Sequence, residues 1–523
     1  MASLLLPLIS ATHPIHRNNS ISNTGSYFFN HQKLKHAHKN KSSCRAVEES
    51  TKGDEENVER GKFDRRDILL GLGGLYGTAA IVDFTFPTAS IPGGLRIRPA
   101  AHLADDVYVA KYNKAMEIMR SLPEDHPHSF AQQAAIHCAY CDSAYEVSPK
   151  FPTKKMDVHF SWLFFPFHRW YMYFFEKILG KLIDDPTFAI PFWNWDSPAG
   201  MPIPPMFADP YSPLYDKLRN DNHRPPLPAD LNYIKTNPSL TGEALIESNM
   251  SVMYTQMVSN SSTPELFFGG PYSAGQDQVH QQGSIENQPH TQGGRRDPIF
   301  YAHHANVDRM WNIWKDLDPE HHKDLDNTDW LDAAFLFYDE TETLVRVKIR
   351  DCLDTAKLGY TYQNIPLPWL KFHPKQKPIP KGRGGDKEFP KASEVFPKVL
   401  DIMIKVTVPR PKKSRSKEEK EAQQEILVIE GIEYDGNEYV KFDVYVNGDD
   451  EVGSGPVYAD FAGVFSNVPS TKKTKVKATQ SFGLSKLLED LKAEDDENVV
   501  VALVPRTGQG KVTIGGVKIV LSS

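Results

Sequence analysis

Several features that would indicate other classes of protein are scarce in this sequence. The 523 residues include only four cysteines, too few for the disulfide framework of a small secreted protein. Acidic residues outnumber basic ones, 67 against 60, and the net charge of −7 gives no reason to expect a nucleic-acid partner. The apolar run at residues 68–81 is short and rich in glycine, so no integral membrane segment is predicted in the mature form.

The N-terminal composition predicts targeting. Residues 1–47 contain no Asp or Glu and are rich in serine, which is typical of an organelle transit peptide. A twin arginine, Arg65 and Arg66, then leads into the short apolar run. Together they predict import by the chloroplast machinery, followed by twin-arginine translocation into the thylakoid lumen. A membrane anchor is the alternative interpretation of the apolar run.

Three histidines, His137, His159 and His168, lie along a stretch rich in aromatic residues. A single histidine in an apolar segment is usually a packed core residue, but three together favour a buried metal site. Neutral imidazole binds copper, zinc, iron or nickel, and the run around His168 has no neighbouring carboxylate to suit magnesium or calcium. Cys138 and Cys141 form a CxxC pair, but a zinc site would need a second pair, which the chain lacks.

A second group of histidines lies downstream. His290 ends the segment IENQPH, and His303 and His304 lie within DPIFYAHHANVDRMW. Asp308 follows His304 by four residues, so on a helix both side chains lie on one face. This spacing predicts that the Asp308 carboxylate supports a metal-bound imidazole.

The hydrophobic periodicity predicts two kinds of structure. Helical spacing predicts helices at residues 107–120, 129–140, 160–182, 244–257 and 304–317. Antiparallel helices around a metal site form a bundle. Further on the period changes to two, and strands are predicted at residues 402–408, 426–429, 439–446, 457–465, 499–504 and 512–521. The fold class predicted is a mainly α core, a helical bundle around the site, with a C-terminal all-β sandwich.

The segments HCAYC, HFSWLFFPFHRWY, PFWNWD, DPIFYAHHANVDRMW, DWL and KFDV make the chain resemble plant polyphenol oxidases of the catechol oxidase and tyrosinase family. The resemblance covers nearly the whole chain. It implies two copper ions, the first held by His137, His159 and His168, the second by a set that includes His290 and His304. It also implies that small phenolic substrates, o-diphenols, are oxidised to o-quinones while dioxygen is reduced to water.

The resemblance implies roles for other residues as well. Cys141 would form a thioether with His159, with a free buried thiol as the alternative. Glu286 matches the water-holding glutamate of the family, with an exposed loop carboxylate as the alternative. Thr291 stands where an asparagine is associated with phenol hydroxylation, which favours diphenol over monophenol oxidation.

The second copper site departs from the family pattern. The family has an HxxxH pair there, but Gly294 stands four residues after His290 and offers no ligand. His303, expected beside the site in the second shell, and His280 are the nearby substitutes. The alternative hypotheses are a non-catalytic relative that binds one copper through the three upstream histidines or is only a folded remnant, and an oxygen carrier.

The predicted organisation has five parts. These are a targeting segment (1–90), a copper-binding core (91–325), a DWL-type segment of short strands closing the core (326–373), a linker (374–398) and the KFDV-type C-terminal sandwich (399–523). By resemblance, the sandwich covers the mouth of the copper pocket and keeps the enzyme latent until the linker is cut.

Overall fold

Two large hydrophobic cores form from segments with different periodicities. The computed structural model describes residues 81–86, 94–141, 158–219, 224–232, 240–276, 278–286, 296–377, 389–448, 455–467, 469 and 474–522. Among these, one core gathers apolar side chains, many of them aromatic, from residues 100–369, and the other lies between two C-terminal sheets. Both belong to one compact unit, Ala46–Ser523. This architecture confirms the predicted fold class.

Eleven α-helices lie within the described residues. They are α1 Asp106–Ser121, α2 Phe130–Cys141, α3 Phe164–Leu182, α4 Pro205–Ala208, α5 Gly242–Tyr254, α6 Pro264–Phe268, α7 Ile299–Leu317, α8 Thr328–Asp332, α9 Ala392–Val395, α10 Lys417–Ala422 and α11 Ser485–Leu491. Helices α3 and α7, each 19 residues long, pack against each other and are buried along most of their length. No helix in these ranges is both long and apolar enough to cross a membrane.

Two of the differences from the sequence prediction have local causes. Helix α3 begins at Phe164 and not at residue 160, because Phe160 has a positive φ of 56°, which no right-handed helix accommodates. The DWL segment forms helix α8 and not a strand, because the Asn327 side chain accepts a hydrogen bond from Trp330 N at 3.0 Å and caps it. The two strands predicted after it are formed.

Fifteen strands lie in the described residues. They are β1 Val82–Asp83, β2 Arg96–Arg98, β3 His280–Gln281, β4 Ala334–Tyr338, β5 Leu344–Lys348, β6 Tyr360–Tyr362, β7 Lys398–Val399, β8 Ile404–Pro409, β9 Glu425–Asp435, β10 Lys441–Val446, β11 Phe461–Ser466, β12 Lys475–Gly483, β13 Asn498–Thr507, β14 Val512–Ile514 and β15 Gly516–Leu521. In the sandwich, one sheet has the order β11-β10-β13-β8. The other has the order β3-β12-β9-β14-β7, with β15 also paired to β9.

Short N-terminal strands join the helical core. Strand β1 pairs in parallel with β5, and Phe84 packs edge-on against Trp170, with ring centroids 4.9 Å apart. The domain prediction places these residues in the targeting segment, and its boundaries remain predictions. The predicted linker lies partly outside the described residues, at 378–388.

A buried network of charges joins α3 to α7. The Asp308 carboxylate on α7 accepts hydrogen bonds from Arg169 (2.5 Å), Arg98 (3.2 Å), Tyr360 (2.6 Å) and Tyr362 (2.5 Å). Arg98 also donates to Glu176 on α3 at 2.8 Å. Burial opposes ionisation of Asp308, but the two arginines outweigh it and hold the pKa of this carboxyl below its usual value. Strands β2 and β6, which carry Arg98 and the two tyrosines, are thereby fixed to both helices.

Replacing Asp308 by Asn should lower the free energy of unfolding by about 3–5 kcal/mol, because the Arg98 and Arg169 guanidinium groups lose their buried counter-charge. Denaturant unfolding at pH 7 measures this change. Since the pKa of Asp308 is lower in the folded state, its contribution is present above about pH 4 and is lost as the pH falls further. The exposed Asp316 on the same helix gives the control, Asp316→Asn, expected within about 0.5 kcal/mol of the parent. Equal losses in both variants would contradict this assignment.

Candidate metal centre

The three upstream histidines converge in one pocket. His137 lies on α2, His168 lies on α3, and His159 lies in the turn just before α3. Their ring centroids are 5.3 Å apart for His137 and His168, 5.6 Å for His137 and His159, and 5.7 Å for His159 and His168. The structure therefore brings together the residues that the sequence predicts for the first metal ion.

A fourth histidine, His304 on α7, joins this cluster. Its ring stacks on His168, with centroids 4.1 Å apart and planes 5° from parallel. Nitrogen atoms of His137, His168 and His304 all lie within 4.8 Å of one another, and all three residues are buried. The contact between α3 and α7 thus places a ligand predicted for the second metal ion directly beside the first group.

The His168 and His304 imidazoles favour the neutral state that metal binding requires. His168 Nδ1 donates a hydrogen bond to the Phe164 carbonyl oxygen at 2.7 Å, which leaves the Nε2 lone pair available, 3.2 Å from His137 Nε2. Burial, helped by the neighbouring histidines, holds the pKa of His168 and of His304 well below the usual value. Metals bind neutral imidazole, so this donor set fits copper.

The walls of the pocket are aromatic. The Phe300 ring lies 4.7 Å from the His137 ring, nearly perpendicular to it, and 4.3 Å from the His304 ring. Phe164 lies 4.6 Å from His168. Sequence reasoning missed Phe300, although its position one helical turn before His304 places it on the same face. These rings exclude water and lower the local dielectric constant.

His303 and Asp308, both predicted in the second shell, have other neighbours as well. The His303 ring is 83° from the His304 plane and packs against Trp195 at 5.8 Å, and His303 is not among the three residues whose nitrogen atoms lie within 4.8 Å of one another. The Asp308 carboxylate binds the two arginines and two tyrosines described above, on strands β2 and β6 and helix α3. Its predicted support of a metal-bound imidazole at His304 remains a prediction.

Glu286 is buried and not on an exposed loop. Its carboxylate oxygens accept hydrogen bonds from two backbone amides, Phe160 N at 3.0 Å and Gly283 N at 2.7 Å. Phe160 directly follows His159, so Glu286 is attached to the loop that carries a predicted ligand.

Other predictions fall outside the described part of the chain. His290, Thr291 and Gly294 lie in the stretch 287–295, and the side chain of Cys141 is likewise outside it. The second ligand set and the thioether therefore remain predictions.

Comparison with known sequences identifies three successive regions. The family profile for the common central domain of tyrosinase matches residues 127–317. The profile for the polyphenol oxidase middle domain matches residues 324–375, and that for the chloroplastic polyphenol oxidase C-terminal domain matches residues 396–521.

Individual relatives match over most of their length. A chloroplastic polyphenol oxidase from Malus domestica is 47% identical over 94% of each chain, and aureusidin synthase from Antirrhinum majus is 49% identical over 85% of this chain and 84% of its own. The Malus alignment spans 568 positions, more than the 523 residues here, so that relative contains stretches this chain lacks.

Solved structures agree in fold. Latent apple tyrosinase superposes with a TM-score of 0.78 at 51% identity, covering 85% of this chain and all of that one. Latent aurone synthase gives 0.79 at 39% identity, covering 85% of this chain and 92% of that one. Fold and site together define a copper protein of the tyrosinase class. Within that class the chain belongs to the plant polyphenol oxidases, chloroplast enzymes that oxidise phenols at a dinuclear copper centre.

Replacing His168 by Ala should remove copper from the first site, because His168 contributes the Nε2 atom nearest to His137 and its ring supports His304. Copper per chain, measured after dialysis against a weak chelator, should fall by about one ion relative to the parent. His321→Ala, at an exposed histidine, provides the control and should keep the full content. Full copper retention in the His168 variant would remove this ligand assignment.

Proposed function

We propose that this chain oxidises o-diphenols to o-quinones and reduces dioxygen to water in the thylakoid lumen. The observation that carries the proposal is the meeting of four histidines from α2, α3, α7 and the turn before α3 in one buried aromatic pocket. Copper, when bound, supplies dioxygen binding and electron transfer. Two diphenols each lose two electrons and two protons for every dioxygen reduced to two waters.

The histidines divide into two proposed ligand sets. His137, His159 and His168 hold the first copper, and His290 and His304 contribute to the second. A thioether between Cys141 and His159 would restrain that imidazole before copper binds. These assignments follow the family pattern, and for the first set the convergence of the rings supports them.

Glu286 is proposed to bind the water molecule that accepts the phenolic proton. Each oxygen of its carboxylate accepts a hydrogen bond from one backbone amide. A water bound there could take the phenolic proton, while the two amides fix the carboxylate in one orientation. The surrounding aromatic rings exclude bulk water from the reaction.

The proposed second copper site has fewer histidine ligands in this chain than the family pattern provides. Gly294 replaces an imidazole, and losing a direct ligand should weaken copper by at least about 10–100-fold, the effect of losing a second-shell partner. His303 cannot fill the gap in the orientation observed, since its ring faces Trp195. A chain that binds one copper and turns over no phenol is therefore the alternative outcome.

The N-terminal segment and the C-terminal sandwich have proposed roles in the location and the latency of the enzyme. The serine-rich N-terminus and Arg65–Arg66 are proposed to engage the chloroplast import machinery and then the twin-arginine translocation machinery. The solved relatives include proteins described as latent. The C-terminal sandwich is proposed to shield the pocket until residues 374–398 are cut.

Oxygen uptake tests the function. With a simple catechol, the copper-loaded protein, freed of its C-terminal shield by limited proteolysis, should consume one dioxygen for every two quinones formed. The matching monophenol should give little uptake, since Thr291 replaces the asparagine linked to hydroxylation. Copper content should be about two ions per chain. One copper or none, with no quinone formed, would contradict the proposal, and reversible oxygen binding without quinone would indicate a carrier.

A further inference from the structure

The turn that carries His159 has an unusual backbone. Phe160, the next residue, has φ of 56°, a left-handed conformation that is uncommon and strained for a bulky side chain. Such a conformation persists only where neighbouring structure holds it. The neighbours of this turn therefore determine where the His159 imidazole lies.

One short segment, residues 278–286, supplies most of the holding contacts. Gln278 Nε2 donates to the His159 carbonyl oxygen at 3.0 Å. Gln281 N donates to the Phe160 carbonyl oxygen at 3.0 Å, and Phe160 N donates to Glu286 Oε1 at 3.0 Å. Both polar backbone groups of Phe160 are thus bound by this segment, which we call the strap.

The strap is bound on its other side by the C-terminal sandwich. Strand β3, at its centre, is an edge strand of the six-stranded sheet and pairs in parallel with β12, His280 with Ala478 and Gln281 with Thr479. The Gln282 side chain also donates to the Ser466 carbonyl oxygen, at the end of β11. A segment of the copper-binding core therefore completes a sheet of the C-terminal sandwich.

Polar groups form part of the contact around the strap, together with apolar side chains. Asn260 donates to the Ala462 carbonyl oxygen at 2.8 Å and accepts from Gly483 N at 2.9 Å. A cavity of about 20 Å³, lined in part by Asn260, Gln282 and Gln480, has room for a water molecule. Polar and hydrated interfaces separate at a smaller cost than apolar ones, because water replaces the lost hydrogen bonds.

We propose that the strap is a positioning element for His159, through which the C-terminal sandwich sets the geometry of the first copper site as well as covering it. This inference rests on the proposed ligand role of His159. Gln278 and Gln282 are the positioning residues: the first binds the ligand turn and the second binds the sandwich. Loosening either contact frees the turn to leave the strained conformation, so that copper is released faster.

Copper release from the full chain tests this proposal. Gln278→Ala and Gln282→Ala should each release the first-site copper to a chelator about three- to tenfold faster than the parent, as expected for one lost hydrogen bond. Gln281→Ala is the matched control, because only its backbone is used, and should release copper at the parent rate. The unfolding midpoints of the copper-free variants should equal the midpoint of the copper-free parent. A general loss of stability would lower the midpoints of the Gln278 and Gln282 variants below it.

Two results would overturn the proposal. Release rates equal to that of the Gln281→Ala control in both variants would show that the strap does not position His159. A faster rate in Gln278→Ala alone would show that the sandwich does not act through it. Copper release is measured without phenol, so neither result would contradict the proposed diphenol oxidation. Conversely, a protein that binds copper but oxidises no diphenol would not contradict the proposed role of the strap.

Discussion

Four imidazoles can share one dry pocket only while they are uncharged. Burial strongly penalises protonation there, and each ring would repel a charged neighbour, so the pKa values of His168 and His304 lie well below the usual value. The Nε2 atoms of His137 and His168 lie 3.2 Å apart, within hydrogen-bonding distance. A metal cation that binds neutral nitrogen ligands would stabilise the four rings in this arrangement. The rest of the structure keeps the rings in place.

The buried charged network around Asp308 helps to keep the rings in place by joining helices α3 and α7. Arg169 follows His168 on α3 and binds Asp308, which follows His304 by one turn on α7. The ion pair therefore fixes the relative position of the two helices within one turn of the stacked imidazoles. The ions are buried with multiple hydrogen bonds, which such pairs need to offset desolvation. Geometry at the site thus depends on residues that touch no ligand.

Sequence reasoning predicted the features that depend on local pattern. The long helices follow from apolar spacing, and His137, His159, His168 and His304 stand out because histidines are concentrated in aromatic segments. The six predicted strands of the sandwich follow from alternation.

Strand β12 was missed because Lys475 and Lys477 alternate with few strongly apolar residues, and its pairing with β9 stabilises it. The partners of Asp308 could not be predicted, because they come from two strands and a helix that are more than 50 residues away in sequence. Nor could the strap, whose two-residue strand pairs with a separate domain.

X-ray absorption at the copper edge of the loaded full-length protein tests the central claim most directly. The account predicts imidazole nitrogen atoms at about 2.0 Å as the main scatterers, with the outer-shell pattern of histidine rings and about three rings on the better-held copper. A spectrum dominated by sulfur, or by oxygen without histidine rings, would contradict the claim that these buried imidazoles assemble the site.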